Sequence, residues 1–173
     1  MANMTAAQEI LYRRVRWLLG LFMVGLIISG LTAIPLQWGA HLLQTLAGAG
    51  TWVGERWPAV SQWVEYVAAG IRAVSAGYPF MFYGTDWLAF AHIVIGIAFI
   101  GPLRDPVKNI WVVELGIIAS ILVIPTALIA GPLRGIPFFW RLIDCSFGGG
   151  GLALLLPAHW LIRKLAQAEG KLA

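Results

Sequence analysis

The side chains in this sequence that could bind or react in an apolar setting are His41, Asp86, His92, Glu114, Arg141, Asp144 and His159. His92 follows Asp86 by six residues, about 9 Å along a helix at its regular rise per residue, and shares a face with Ala89 and Gly96. Small neighbours suit close contact with a second helix, which turns His92 into a bundle. There an imidazole can ligate haem or a metal, or relay a proton; the plainer reading is an inter-helix hydrogen bond. Glu114 stands about 7–8 Å inside its apolar segment and His159 about 6 Å inside its own, so the two are expected at one depth and within reach of each other. A carboxylate meeting an imidazole there could tune a proton or quinone site, or serve as a buried polar staple. Arg141 and Asp144 are three apart and are expected to pair along one helix face. Asp86 and Arg134 complete an outer polar cluster. Cys145 is the only cysteine, which excludes intrachain disulfides and cysteine-clustered metal sites and leaves it as a small packing residue.

These groups must be positioned by membrane-length helices. Of 173 residues, 60% are hydrophobic and 12% charged, about half the charged share of an ordinary globular chain. No charge occurs between Arg16 and Glu55, and further uncharged runs cover 87–103, 115–133 and 145–162. A spanning helix needs roughly 20 apolar residues, with about 17 the short limit. The sequence therefore predicts an all-α, four-transmembrane-helix bundle with spans near 15–36, 84–103, 109–131 and 138–162, the second starting near Tyr83. The whole of 1–173 reads as one integral membrane domain. Arg13, Arg14 and Arg16 before an apolar stretch raise a signal peptide, but 17–36 is too long for its apolar region and lacks a clear cleavage site, so an uncleaved anchor is expected.

With the N-terminus cytoplasmic, Arg13, Arg14, Arg16, Arg104, Lys108, Arg163, Lys164 and Lys171 lie inside, against Arg56, Arg72, Arg134 and Arg141 outside. Basic residues favour the cytoplasmic side, so both termini are expected there. The formal charge of +4 forms no stripe, so nucleic acid is not an expected partner. The turns at 104–108 and 132–137 are tight, which makes spans two, three and four antiparallel neighbours.

The long outer segment 37–83 is not a polar loop. Val60, Trp63, Val64, Val67, Ile71 and Val74 form one helical stripe, with Ser61, Glu65 and Arg72 elsewhere on the wheel. Residues 58–76 are expected to form an amphipathic interfacial helix, with Pro58 in its first turn. Residues 38–53 carry too little charge for free solution and are expected on, or dipping into, the membrane. Trp17, Trp38, Trp87, Trp111, Trp140 and Trp160 fall near span ends, as anchoring residues do. Gly148 to Gly151 suit close backbone approach or a weakened helix, and Pro125 and Pro157 are candidate kinks. Gly-Pro-Leu-Arg occurs at 101–104 and 131–134; ordinary helix-stop grammar accounts for it without an inverted repeat.

Two resemblances bear on function. The opening Arg-Arg-Val-Arg-Trp (13–17) and Ser-Gly-Leu-Thr-Ala (29–33) resemble the first helix of bacterial cytochrome b membrane anchors. That likeness implies haem b, with His92 and His41 as candidate ligands. The sequence departs from that family in its histidines: His92 lies about 12 Å nearer the outside than His159, and His41 reaches the same iron only if 38–53 folds back into the bilayer. Thr-Asp-Trp-Leu-Ala-Phe-Ala-His (85–92), Gly-Pro-Leu-Arg-Asp-Pro (101–106) and Gly-Ile-Pro-Phe-Phe-Trp-Arg-Leu-Ile-Asp-Cys (135–145) resemble uncharacterised small four-helix inner-membrane proteins of bacteria, a likeness that implies the fold and a bacterial inner membrane and no activity. The sequence is read as a non-catalytic subunit or accessory protein of a membrane complex. Its expected partners are the lipid bilayer and other membrane subunits or further copies of itself. The alternatives are a b-type haem or quinone protein, and a transporter of protons or small solutes.

Overall fold

Helix α1 (Ala6–Thr32) begins well before the apolar run, because charge marks where hydrocarbon can begin and not where a helix must. Its start has a chemical cause. Thr5 Oγ1 accepts from the Gln8 backbone N–H at 3.3 Å, and Gln8 Oε1 accepts from the Thr5 N–H at 2.8 Å. This reciprocal capping box satisfies two donors that a helix end leaves orphaned. The computed structural model describes residues 5–168 and Gly170; Lys171, counted above on the cytoplasmic side, lies outside them.

The described residues are helical, with no strand among them. After α1 come α2 (Leu36–Ala47), α3 (Trp52–Arg56), α4 (Pro58–Gly77), a 3₁₀ turn (Pro79–Phe82), α5 (Tyr83–Ala98), α6 (Ile100–Arg104), α7 (Ile110–Leu133) and α8 (Phe138–Ala168). Four stretches are long and apolar enough to cross a membrane: Ala6–Thr32, Pro79–Arg104, Ile110–Leu133 and Phe138–Ala168. The second is interrupted at Phe99. Pro102 has no N–H to give the Ala98 carbonyl, so the regular ladder breaks there and resumes as α6. Pro125 and Pro157 lie inside α7 and α8, which run through them.

The chain divides into two compact units, Met1–Gly25 with Ile95–Ala173, and Leu26–Val94. In the first, Val15 and Leu19 of α1 pack with Phe99, Val112 and Val113, and with Leu155, Ala158, Leu161 and Ile162 of α8. Its turns are closed by side chains. The Asn109 amide donates to the carbonyls of Gly101 (3.2 Å) and Asp105 (2.9 Å), Asp105 Oδ1 accepts from the Lys108 N–H, and the Tyr12 hydroxyl donates to the Arg104 carbonyl at 2.6 Å. Helix α7 ends in a Schellman motif. Ile136 N–H donates to the Gly131 carbonyl and Gly135 N–H to that of Pro132, with Gly135 at φ +69, where a side chain would be strained.

In the second unit, residues 38–53 form most of α2 and the start of the short α3, and α2 packs along α4. Pro58 opens α4 in its first turn. The buried face of α4 differs from the apolar stripe: Ser61, Val64 and Ala68 are buried, and Glu65 is half-buried beside them. Polar partners on α2 draw that edge inward.

Candidate functional site

The α7–α8 pair brings two of the candidate residues together. His159 Nε2 lies 3.1 Å from Glu114 Oε1. The carboxylate oxygen accepts, so the imidazole presents its Nε2–H. The glutamate side chain is 50% exposed and the histidine 22%, so the pair sits at the edge of the helix seam.

Away from that pair the seam is closed by small residues. A Cβ on Gly116 would lie 2.8 Å from Leu155 Cδ1 and 2.9 Å from Phe99 Cζ. A Cβ on Gly148 would meet the Ser120 carbonyl oxygen, and one on Gly151 the Ser120 hydroxyl. Ser120 Oγ turns back to donate to the Gly116 carbonyl at 2.8 Å, which satisfies it within its own helix. Gly149 and Gly150 face open space, so only part of the glycine run is used for packing here. Cys145 Sγ lies 4.0 Å from the Ile124 carbonyl, against the same seam.

Arg141 and Asp144 do not form the expected pair: the ion pair between Glu114 and His159 is the one found among the described residues. Side chains on a helix lean toward its N-terminus. Arg141 accordingly runs back over Gly131, with its guanidinium carbon 5.2 Å from the Phe138 ring centre. Its Nε is buried without a hydrogen-bond partner.

In the second unit His92 packs against α1. A Cβ on Gly30 would fall 2.6 Å from His92 Cβ and 3.1 Å from the Ala89 carbonyl, so a glycine is required for this approach. His92 Nδ1 donates to the Leu88 carbonyl one turn back at 2.8 Å. This fixes the tautomer and leaves Nε2 as a lone-pair donor, the arrangement an imidazole ligand needs. Asp86 is exposed on the first turn of α5.

Helices α2 and α4 carry a polar network that the sequence reading missed. The Gln44 amide nitrogen donates to Glu65 Oε2 at 2.5 Å, and its carbonyl oxygen accepts from Arg72 Nη1 at 3.0 Å. Glu65 Oε1 accepts from the Ala49 N–H at 3.3 Å, and the Gln37 amide donates to Ser75 Oγ. His41, expected as a haem ligand beside His92, lines a cleft between α2 and α4 together with Arg72 and Ser75. The available signal was the seven-residue spacing of Glu65 and Arg72, which puts both on one face of α4 with Ala68 between them.

No group of three or more His, Cys, Asp and Glu side chains that could hold a metal ion occurs among the described residues. Comparison of the chain with family models, with curated proteins and with solved structures finds no match. The polar arrangements on view are the Glu114–His159 contact, the His92 ring held by the Leu88 carbonyl, and the α2–α4 network.

Proposed function

We propose that this chain is a multi-pass protein of a bacterial inner membrane, with four spans, both termini cytoplasmic and α4 lying in the outer interface. Within that membrane it acts as a non-catalytic subunit or accessory protein of a complex. The observation that carries the membrane reading is the lack of cover on the long helices. Only 17–33% of the most apolar window of each is buried. Ile28, Ile118, Leu122, Ile129, Phe147 and Leu156 are among many large apolar side chains left exposed. In water such a surface would drive aggregation, whereas lipid accepts it at no cost.

The experiment is purification of the full chain in mild detergent, with an absorption spectrum and mass spectrometry of what accompanies it. The proposal expects a stoichiometric protein partner and no pigment. Purification without detergent as a compact monomer would refute the membrane reading, and recovery of the chain alone from detergent would refute the subunit reading. A second reading, a haem b protein, is supported by the His92 tautomer, which leaves Nε2 open. Against it stands His41, which lines the α2–α4 cleft beside Arg72. A Soret band that disappears in His92→Ala would establish that reading.

A further inference from the structure

From the cleft between α2 and α4 we infer a binding site for a phosphate oxyanion, carried by the headgroup of an anionic phospholipid. The cleft is roughly 300 Å³ and is lined by Gln37, His41, Gln44, Arg72 and Ser75 over a floor that includes Ala40 and Ala68. Its free hydrogen-bonding capacity is mainly donor. Arg72 spends Nη1 on the Gln44 oxygen and keeps Nε and Nη2 for a ligand. Ser75 Oγ accepts from Gln37, which leaves its own hydrogen to donate. The His41 side chain is exposed at the rim and adds a ring N–H. The one carboxylate nearby, Glu65, is already engaged by Gln44 and by the Ala49 N–H, so it does not compete for Arg72 directly. A planar guanidinium fork with a hydroxyl and an imidazole beside it matches the oxygens of a phosphate.

The choice of a lipid as carrier rests on the membrane reading above. On α2 the residues facing away from α4 are apolar and exposed: Trp38, Leu42 and Leu46. With that face in the acyl region, the cleft stands at headgroup depth. Soluble phosphate offers the same chemistry without the tails, and the test separates the two.

The test is native mass spectrometry of the delipidated full chain, titrated with short-chain phosphatidylglycerol or phosphatidylcholine, with and without millimolar inorganic phosphate. Retention of the anionic lipid over the zwitterionic one is expected. Losing a charged hydrogen-bond donor should weaken retention on the order of tenfold in Arg72→Gln. Ser75→Ala, which leaves the Arg72–Gln44–Glu65 chain intact, should weaken it several-fold. Competition by inorganic phosphate with the same dependence on Arg72 and Ser75 would keep the oxyanion site and overturn the lipid as its source. Equal retention of both lipids, each of which carries a phosphodiester, would keep a phosphate site and overturn the anionic headgroup; wild-type retention in both variants would overturn the site itself. A chain that binds phosphate through Arg72 yet stays monomeric without detergent would sink the membrane reading and leave the site standing.

Discussion

Two adjacent glycines on α8 should respond to the same substitution with opposite signs. A Cβ at Gly148 would lie 2.5 Å from the Ser120 carbonyl oxygen and 3.3 Å from both Val123 Cβ and Ile124 Cγ1. The first of these is backbone, so no rotamer change relieves it and the helices must part. A Cβ at Gly149 meets nothing within 4 Å. Replacing glycine by alanine within a helix contributes about 1 kcal/mol of intrinsic preference at either site. Overpacking a closed interface costs about 1–3 kcal/mol. The balance makes Gly148→Ala destabilising by up to about 2 kcal/mol and Gly149→Ala stabilising by up to about 1 kcal/mol. Unfolding in detergent with increasing dodecyl sulfate, followed by tryptophan fluorescence, measures both. Equal effects of the two substitutions would refute the seam geometry, as would a Gly148→Ala chain more stable than Gly149→Ala.

Other outcomes follow from single contacts. Asn109→Ala removes two bonds to the carbonyls of Gly101 and Asp105 and should cost about 1–2 kcal/mol in the same unfolding assay. Tyr12→Phe deletes the donor to the Arg104 carbonyl and should cost about 1 kcal/mol. For Glu114 and His159, a double-mutant cycle with Gln at each position should give a coupling of about 0.5–1.5 kcal/mol, as a single side-chain hydrogen bond does. If Glu114→Gln leaves the activity of the assembled complex unchanged, the pair is a staple and takes no part in proton transfer. Gly30→Leu should expel His92 from its place against α1, because a Cβ at residue 30 already falls 2.6 Å from His92 Cβ. Hydrogen exchange of the 26–32 and 86–94 segments would report the loss.

The long helices were legible in the sequence because uncharged runs report on them directly: the expected span 138–162 lies within α8, and 109–131 lies within α7 apart from Asn109, its N-cap. Their true ends were not, since Glu9, Arg13 and Arg14 continue α1 as ordinary helical residues, and Arg163 and Lys164 do the same for α8. Helix α4 followed from its stripe and from Pro58, but its buried side did not. Glu65 turns inward because Gln44 and Ala49 supply partners from elsewhere in the unit, and wheel positions carry no information about those. The meeting of Glu114 with His159 could be expected from depth alone. The separation of Arg141 from Asp144 could not, because spacing permits that pair while side-chain direction sends the guanidinium toward Phe138.

Accessibility of single cysteines tests the central account most directly. Cys145→Ala supplies a cysteine-free background, into which Ala7→Cys, Gln62→Cys, Lys108→Cys, Arg134→Cys and Gln167→Cys are placed one at a time in intact cells. Four spans with both ends cytoplasmic predict labelling by an impermeant maleimide at residues 62 and 134 alone, with 7, 108 and 167 reacting only after the membrane is opened. Labelling of 7 and 167 from opposite sides, or recovery of the chain in the soluble fraction, would contradict it.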